Sequence, residues 1–141
     1  MKKMLLSILV LVLVSPAFAQ TSNIVVKVTG IESNEGLIQI GLYNSEASFP
    51  EYAKVYKGVF PKANKSGVSY TFKNVPAGTY AVAVYHDKNS DKELNKNLFG
   101  APKEAYGFSN NKFGTFGPPD FKEVSFKVEA GKNTSLSIKL E

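Results

Sequence analysis

The feature that most constrains this chain is an alternation of period two that recurs from residue 24 to the end. Ile24, Val26 and Val28 alternate with polar or half-polar neighbours, and Ile38, Ile40 and Leu42 do the same in LIQIGLY. Val68, Tyr70 and Phe72 repeat the pattern, as do Val124, Phe126 and Val128, and Leu136, Ile138 and Leu140. In YAVAVYH, Tyr80, Val82 and Val84 face one way, while Ala81, Ala83 and Tyr85 face the other. Side chains of an extended strand point to alternate faces, so each run reads as a strand with one apolar face. The runs are short and rich in β-branched and aromatic residues, and turn residues bound them. There is no sustained helical period and no internal repeat after the leader. One helical turn is expected in SEASFPEYAKVY, Ser45 to Tyr56, where Ser45 is placed to cap and Pro50 interrupts. A further short strand is expected between Val55 and Pro61.

The connections carry their own signals. Asn34-Glu35-Gly36 predicts a hairpin between the first two strands, and Ala130-Gly131-Lys132-Asn133 predicts a last one. Asn74-Val75-Pro76-Ala77-Gly78 separates two strands, because proline cannot donate to a ladder. Together these elements predict an all-β fold: a single antiparallel, immunoglobulin-like β-sandwich of about seven strands. Between Asn89 and Asp120 no strand signal appears. That stretch holds Phe99, Tyr106, Phe108, Phe113, Phe116 and Phe121 among several glycines and prolines. Disordered segments are poor in aromatics, so this is expected to be one long, ordered aromatic loop packed over an end of the sandwich.

Composition narrows the setting. Lys2 and Lys3 followed by the apolar run Met4–Val14 and the Ala17-Phe18-Ala19 box read as a signal peptide over residues 1–19, with residues 20–141 forming the domain. The expectation is export to the periplasm or beyond, with no transmembrane segment in the mature chain. There is no cysteine, so thiol chemistry and cysteine-based zinc sites are excluded. All 17 basic residues are lysine, scattered singly against 12 acids. Nucleic-acid binding wants a clustered basic patch and the forked donors of arginine, so it is not expected here.

One stretch carries candidate chemistry: YHDKNSDKELN, residues 85–95. Asp87, Asn89 and Asp91 match the first three alternate ligand positions of a calcium loop, with the Glu93 carbonyl and Asn95 next in order. Lys92 stands where the sharp turn prefers glycine, and Leu98 stands where a bidentate glutamate closes the shell. Glu104 is the residue that would complete it from the long loop. Two readings stand open: a weak calcium site, with a dissociation constant on the order of 0.1–1 mM, and a polar turn in which Asp and Asn bond their own backbone. His86, the one histidine, continues the Tyr80-Val82-Val84 face and is expected at the inner end of that strand. Tyr106, Phe108, Phe113 and Phe116 are candidates for an aromatic platform, with His86 and Glu104 nearby, for a small-molecule, sugar or peptide ligand. The alternative for those rings is to cap the core beneath the loop.

The segments Gly78–His86 and Gly100–Asn110, GTYAVAVYH and GAPKEAYGFSN, resemble the hallmark of a family of secreted bacterial proteins catalogued as a domain of unknown function. The resemblance spans the whole mature chain. Members commonly carry glycine at the position of Lys92 and aspartate at that of Asn95. The NVPAGTYAVAV piece is also similar to prealbumin-like and Cna-B-type sandwich modules, which implies a prealbumin-like sandwich. A prealbumin-type purine hydrolase uses several histidines and an arginine, whereas this chain has one histidine and no arginine. The expected function is therefore that of an exported, non-catalytic binding or structural module of the cell envelope. The rival is a small periplasmic hydrolase built on His86, for which Ser109 would be the nucleophile.

Overall fold

A computed structural model of the protein describes residues 20–141; the expected signal peptide, residues 1–19, lies outside them. Eight strands follow one another: β1 (Ser22–Thr29), β2 (Leu37–Tyr43), β3 (Lys57–Val59), β4 (Val68–Val75), β5 (Gly78–Asp87), β6 (Tyr106–Phe108), β7 (Phe126–Val128) and β8 (Thr134–Lys139). One helical turn, α1, spans Phe121–Val124, and 3-10 turns occupy Tyr52–Lys54 and Ser109–Asn111. The strands form two sheets, β4-β1-β8 and β3-β2-β5-β6, with β7 paired to the start of β5. This is the all-β sandwich that the alternation predicts, with eight strands in place of about seven.

The inner faces are the alternating sets. Ile24, Val26 and Val28 from β1 meet Ile38, Ile40 and Leu42 from β2 and Val82 and Val84 from β5 in one core, closed by Phe72, Ile138 and Leu140. Each of these side chains is almost wholly removed from water, and burying a residue of this size contributes about 1.5–3 kcal/mol. His86 pairs with Ile38 across β2 and is fully buried at the end of the same face, where the alternation places it.

Four expectations about strands and their pairing are corrected. The Asn34-Glu35-Gly36 turn does not close a hairpin, because β1 and β2 lie in different sheets. Their connection arches across the core and sinks Ile31 into it, so it passes between layers rather than reversing within one. The Ala130–Asn133 turn likewise joins β7, paired to β5, to β8, paired to β1. The sandwich is not wholly antiparallel either. β8 runs parallel to β1, in register from Ile24 opposite Thr134 to Thr29 opposite Lys139. Finally, β6 lies inside the stretch that lacks a strand signal. Its three residues pair with Ala83, Val84 and Tyr85, and it exchanges backbone bonds with Glu141 at 3.0–3.1 Å, stitching the two sheets at one end.

The long loop changes what the second sheet is. β2 and β5 are buried on both faces, unlike β1, whose burial alternates. The outer face carries a second cluster in which Tyr43, Ala81, Ala83, Phe108 and Val124 are buried, with Phe49, Tyr106, Phe113 and Phe121 packed against them. The rings meet edge to face at centroid distances of 5.4–6.1 Å, the arrangement favoured by aromatic quadrupoles.

Candidate functional site

The loop after β5 is held by its own carboxylates. Asp87 is fully buried; its Oδ1 accepts from the Asp91 amide at 3.1 Å and its Oδ2 from the Lys92 amide at 2.9 Å. Asp91 accepts from the Glu93 amide at 2.9 Å and from the side-chain nitrogens of Asn89 and Asn95 at 2.7 and 3.0 Å. Glu104 reaches back from the long loop and accepts from the amides of Lys88 and Asn95, both at 3.0 Å. Asp91 has its carboxyl held below the ordinary aspartate value of 3.8, first by the Asn95 side chain and then by the Glu93 amide. The carboxylate oxygens are thus turned onto N–H donors. Among the described residues no group of three or more His, Asp or Glu side chains is placed to hold a metal ion. The sharp turn forms in spite of Lys92, which adopts the left-handed conformation at φ +65°, as does Ser90 at +59°.

His86 and Ser109 do not meet in a hydrogen bond. The His86 Nε2 lies 2.8 Å from the Glu35 carbonyl oxygen, which makes Nε2 the protonated nitrogen, and Nδ1 is buried without a partner. The buried Ser109 hydroxyl accepts from the Val82 amide at 3.0 Å and donates to the Val124 carbonyl, tying β5 to α1.

Among the described residues a cleft of about 1020 Å³ lies over the outer face of the second sheet. Register builds its floor. Gln39 lies opposite Tyr85, Gly41 opposite Ala83, and Tyr43 opposite Ala81. Phe108 and Tyr106 of β6 continue the rows beyond Ala83 and Tyr85. Of these, Gln39, Tyr43, Ala83, Tyr85, Tyr106 and Phe108 line the cleft. A Cβ on Gly41 would come within 2.8 Å of Gln39 Nε2 and 3.0 Å of the Tyr43 ring, so both side chains lie across that glycine. Gly58 on β3 does the same for Tyr52, whose ring would sit 2.9 Å from an added Cβ. The Tyr43 hydroxyl donates to the Pro50 carbonyl at 3.0 Å, which fixes one wall.

Two tight turns form the rim. Asn97 accepts through Oδ1 from the amides of Phe99 and Ala101 at 2.9 and 3.0 Å, and Gly100 takes φ +81°, so Phe99 is carried at the tip. Gly114 packs against the Gly117 carbonyl so closely that no side chain fits there, and Phe116 stands at that tip. Phe99 and Phe116 are 95% and 102% exposed and both line the cleft.

Of the side chains expected to bind ligand, Tyr106, Phe108 and Phe116 line this cleft. Phe113 packs behind it in the second cluster, Glu104 is committed to the Asp87 loop, and His86 points to the inner core. Gln39, Tyr52, Tyr85 and Phe99 are cleft residues that the sequence reading did not single out. Gln39 carried a signal all the same, as the one polar side chain inside LIQIGLY, a strand buried along nearly its whole length.

Fold and site define an all-β sandwich with a braced cleft on the covered face of one sheet. Residues 26–137 match the family described as "Uncharacterized protein conserved in bacteria (DUF2141)", and the chain belongs to that family, as the Gly78–His86 and Gly100–Asn110 segments led one to expect. No curated protein and no solved structure matches it.

Proposed function

We propose that this protein is an exported, non-catalytic binding module that takes a small ligand in the cleft over the outer face of the β2–β5 sheet. One observation carries the reading: two fully exposed phenylalanines stand at the tips of two separately braced turns on the rim of the same cleft. A single exposed apolar side chain is ordinary, but rings displayed at the mouth of a concavity are the usual furniture of a binding site. The cleft's size falls at the upper end of the range of small-molecule sites, about 300–1,000 Å³. Export is supported by the lysine, apolar and small-residue order of residues 1–19. The Asp87 loop serves this reading as a clamp: with Glu104 it holds the start of the rim segment that runs on to Phe99. At a weak cation site there, the ligand oxygens of Asp87 and Asp91 would be ones that already accept N–H donors.

The test is a fragment screen on the purified protein by ligand-observed NMR, repeated on the double variant Phe99→Ala, Phe116→Ala. Both rings are solvent-exposed, so the variant is expected to melt within about 0.5 kcal/mol of the parent. Hits that weaken in the variant support the reading. Hits that bind both proteins alike place the site elsewhere and overturn it.

A further inference from the structure

Beneath the lining of this cleft two buried donors stand without a partner. Gln39 is 1% exposed and Tyr85 is 7% exposed, yet Gln39 Nε2 and Tyr85 Oη have no hydrogen-bond partner. A buried polar atom without a partner costs about 1–3 kcal/mol, and native interiors leave few of them. Here two occur on directly opposed residues of neighbouring strands, on the wall of one cleft. Their neighbour Tyr43 is satisfied by Pro50, so the deficit is local to this pair. The third unpartnered atom, His86 Nδ1, belongs to the opposite face of β5 and does not line the cleft.

We infer that the cleft binds an uncharged organic molecule whose acceptor oxygen is held by the Gln39 amide and the Tyr85 hydroxyl, with its apolar body along Ala83 toward Phe99 and Phe116. This rests on reading the cleft as a binding site. The lining carries no net charge that would hold an ion. The charged groups of the lining are Glu51, Glu93, Lys92 and Lys96, two of each sign. Asp87 and Glu104 are not in the lining, and their charges, which reach the Tyr85 hydroxyl, disfavour an anion there. Burial, followed by the charges of Asp87 and Glu104, pushes the Tyr85 hydroxyl above its ordinary value of 10, so it stays a donor at any physiological pH. Both open groups therefore offer N–H or O–H to an oxygen, and the surrounding apolar side chains favour an aromatic or aliphatic frame behind it.

Four probes of one shape separate the possibilities: benzamide, benzoate, benzamidinium and ethylbenzene. Each is titrated into 15N-labelled protein at millimolar concentration, and the shifts of cleft amides and of the Gln39 side-chain NH₂ are followed. Benzamide is expected to bind tightest. Tyr85→Phe and Gln39→Leu are each expected to weaken it about five-fold, the loss of one neutral hydrogen bond, while ethylbenzene binds the variants as it binds the parent. Both variants remove an unpaired polar atom, so they are expected to melt at or above the parent temperature; if one fails to fold, the other decides. If ethylbenzene shifts the cleft and benzamide does no better, or if the variants leave benzamide unchanged, the acceptor assignment falls and the binding site stands. If none of the four probes shifts a cleft resonance, the binding reading itself falls.

Discussion

Lys92 shows how one residue bears a local cost for a loop that the rest of the sequence demands. Asp87 needs the amides of Asp91 and Lys92 to converge on its two oxygens, and the chain achieves that only by turning left-handed at Ser90 and Lys92. A side chain in that conformation costs roughly 1–2 kcal/mol, partly offset in the comparison with glycine by the latter's freer unfolded chain. Lys92→Gly is therefore expected to stabilise the protein by about 0.5–1 kcal/mol, measured by denaturant unfolding, whereas Lys92→Ala should give no gain. Asp91 supplies a pH test. Its folded carboxyl is held below 3.8 by Asn95 and the Glu93 amide, so the stability these bonds lend is fully present above that value. It is lost as pH falls through the lower folded value. The Asp91 Cγ resonance should titrate with a midpoint below 3.8, and Asp91→Asn should flatten the acid limb of the stability profile. A midpoint at or above the ordinary value would mean that the bonds are not made in solution.

At the scale of elements, the sandwich depends on connections that cross between sheets. Gly36 ends the β1–β2 arch at φ +75°, and a Cβ there would lie 2.0 Å from the Asp87 carbonyl oxygen. The neighbour is backbone and cannot swing away, so Gly36→Ala is expected to cost about 2–4 kcal/mol, read as a fall in melting temperature. The aromatic layer over the outer face is a separate packing unit. Phe113→Ala should raise hydrogen-exchange rates in β6 and α1 while leaving the β1 amides protected, because Phe113 touches Tyr106 and Phe108 and no residue of the inner core. Equal loss of protection in β1 would show that the two clusters unfold as one. What the sequence announced and what it withheld also divide at this scale. Alternation exposed the inner faces of β1, β2, β5 and β8 because those residues bury by period alone. It did not expose which strands pair, since a glycine-containing turn looks the same whether it reverses within a sheet or arches to the other. It missed β6, where a three-residue strand is set by its partner Ala83–Tyr85 rather than by its own composition. Val124 was expected on a strand and instead ends α1, where it is buried against the second cluster.

For the molecule as a whole, the long loop is what adds a cleft to the sandwich. Without it, the outer face of β2 and β5 would be exposed, and Gln39 and Tyr85 would be ordinary solvated side chains. With it, half of that face becomes a second core and the other half a cleft whose rim is held by Asn97, Gly100, Gly114 and, further back, the Asp87–Glu104 clamp. The candidate site was legible only in part for the same reason. Tyr106, Phe108 and Phe116 stood out by composition, but Gln39 and Tyr85 acquire meaning only when the register sets them opposite each other and the loop covers them. The most direct test is a crystal structure of the protein grown with benzamide. The amide oxygen is expected within about 3 Å of Gln39 Nε2 and Tyr85 Oη, with the ring directed toward Phe99 and Phe116. Benzamide bound elsewhere, or Gln39 and Tyr85 found paired to other protein groups beneath a closed loop, would contradict it.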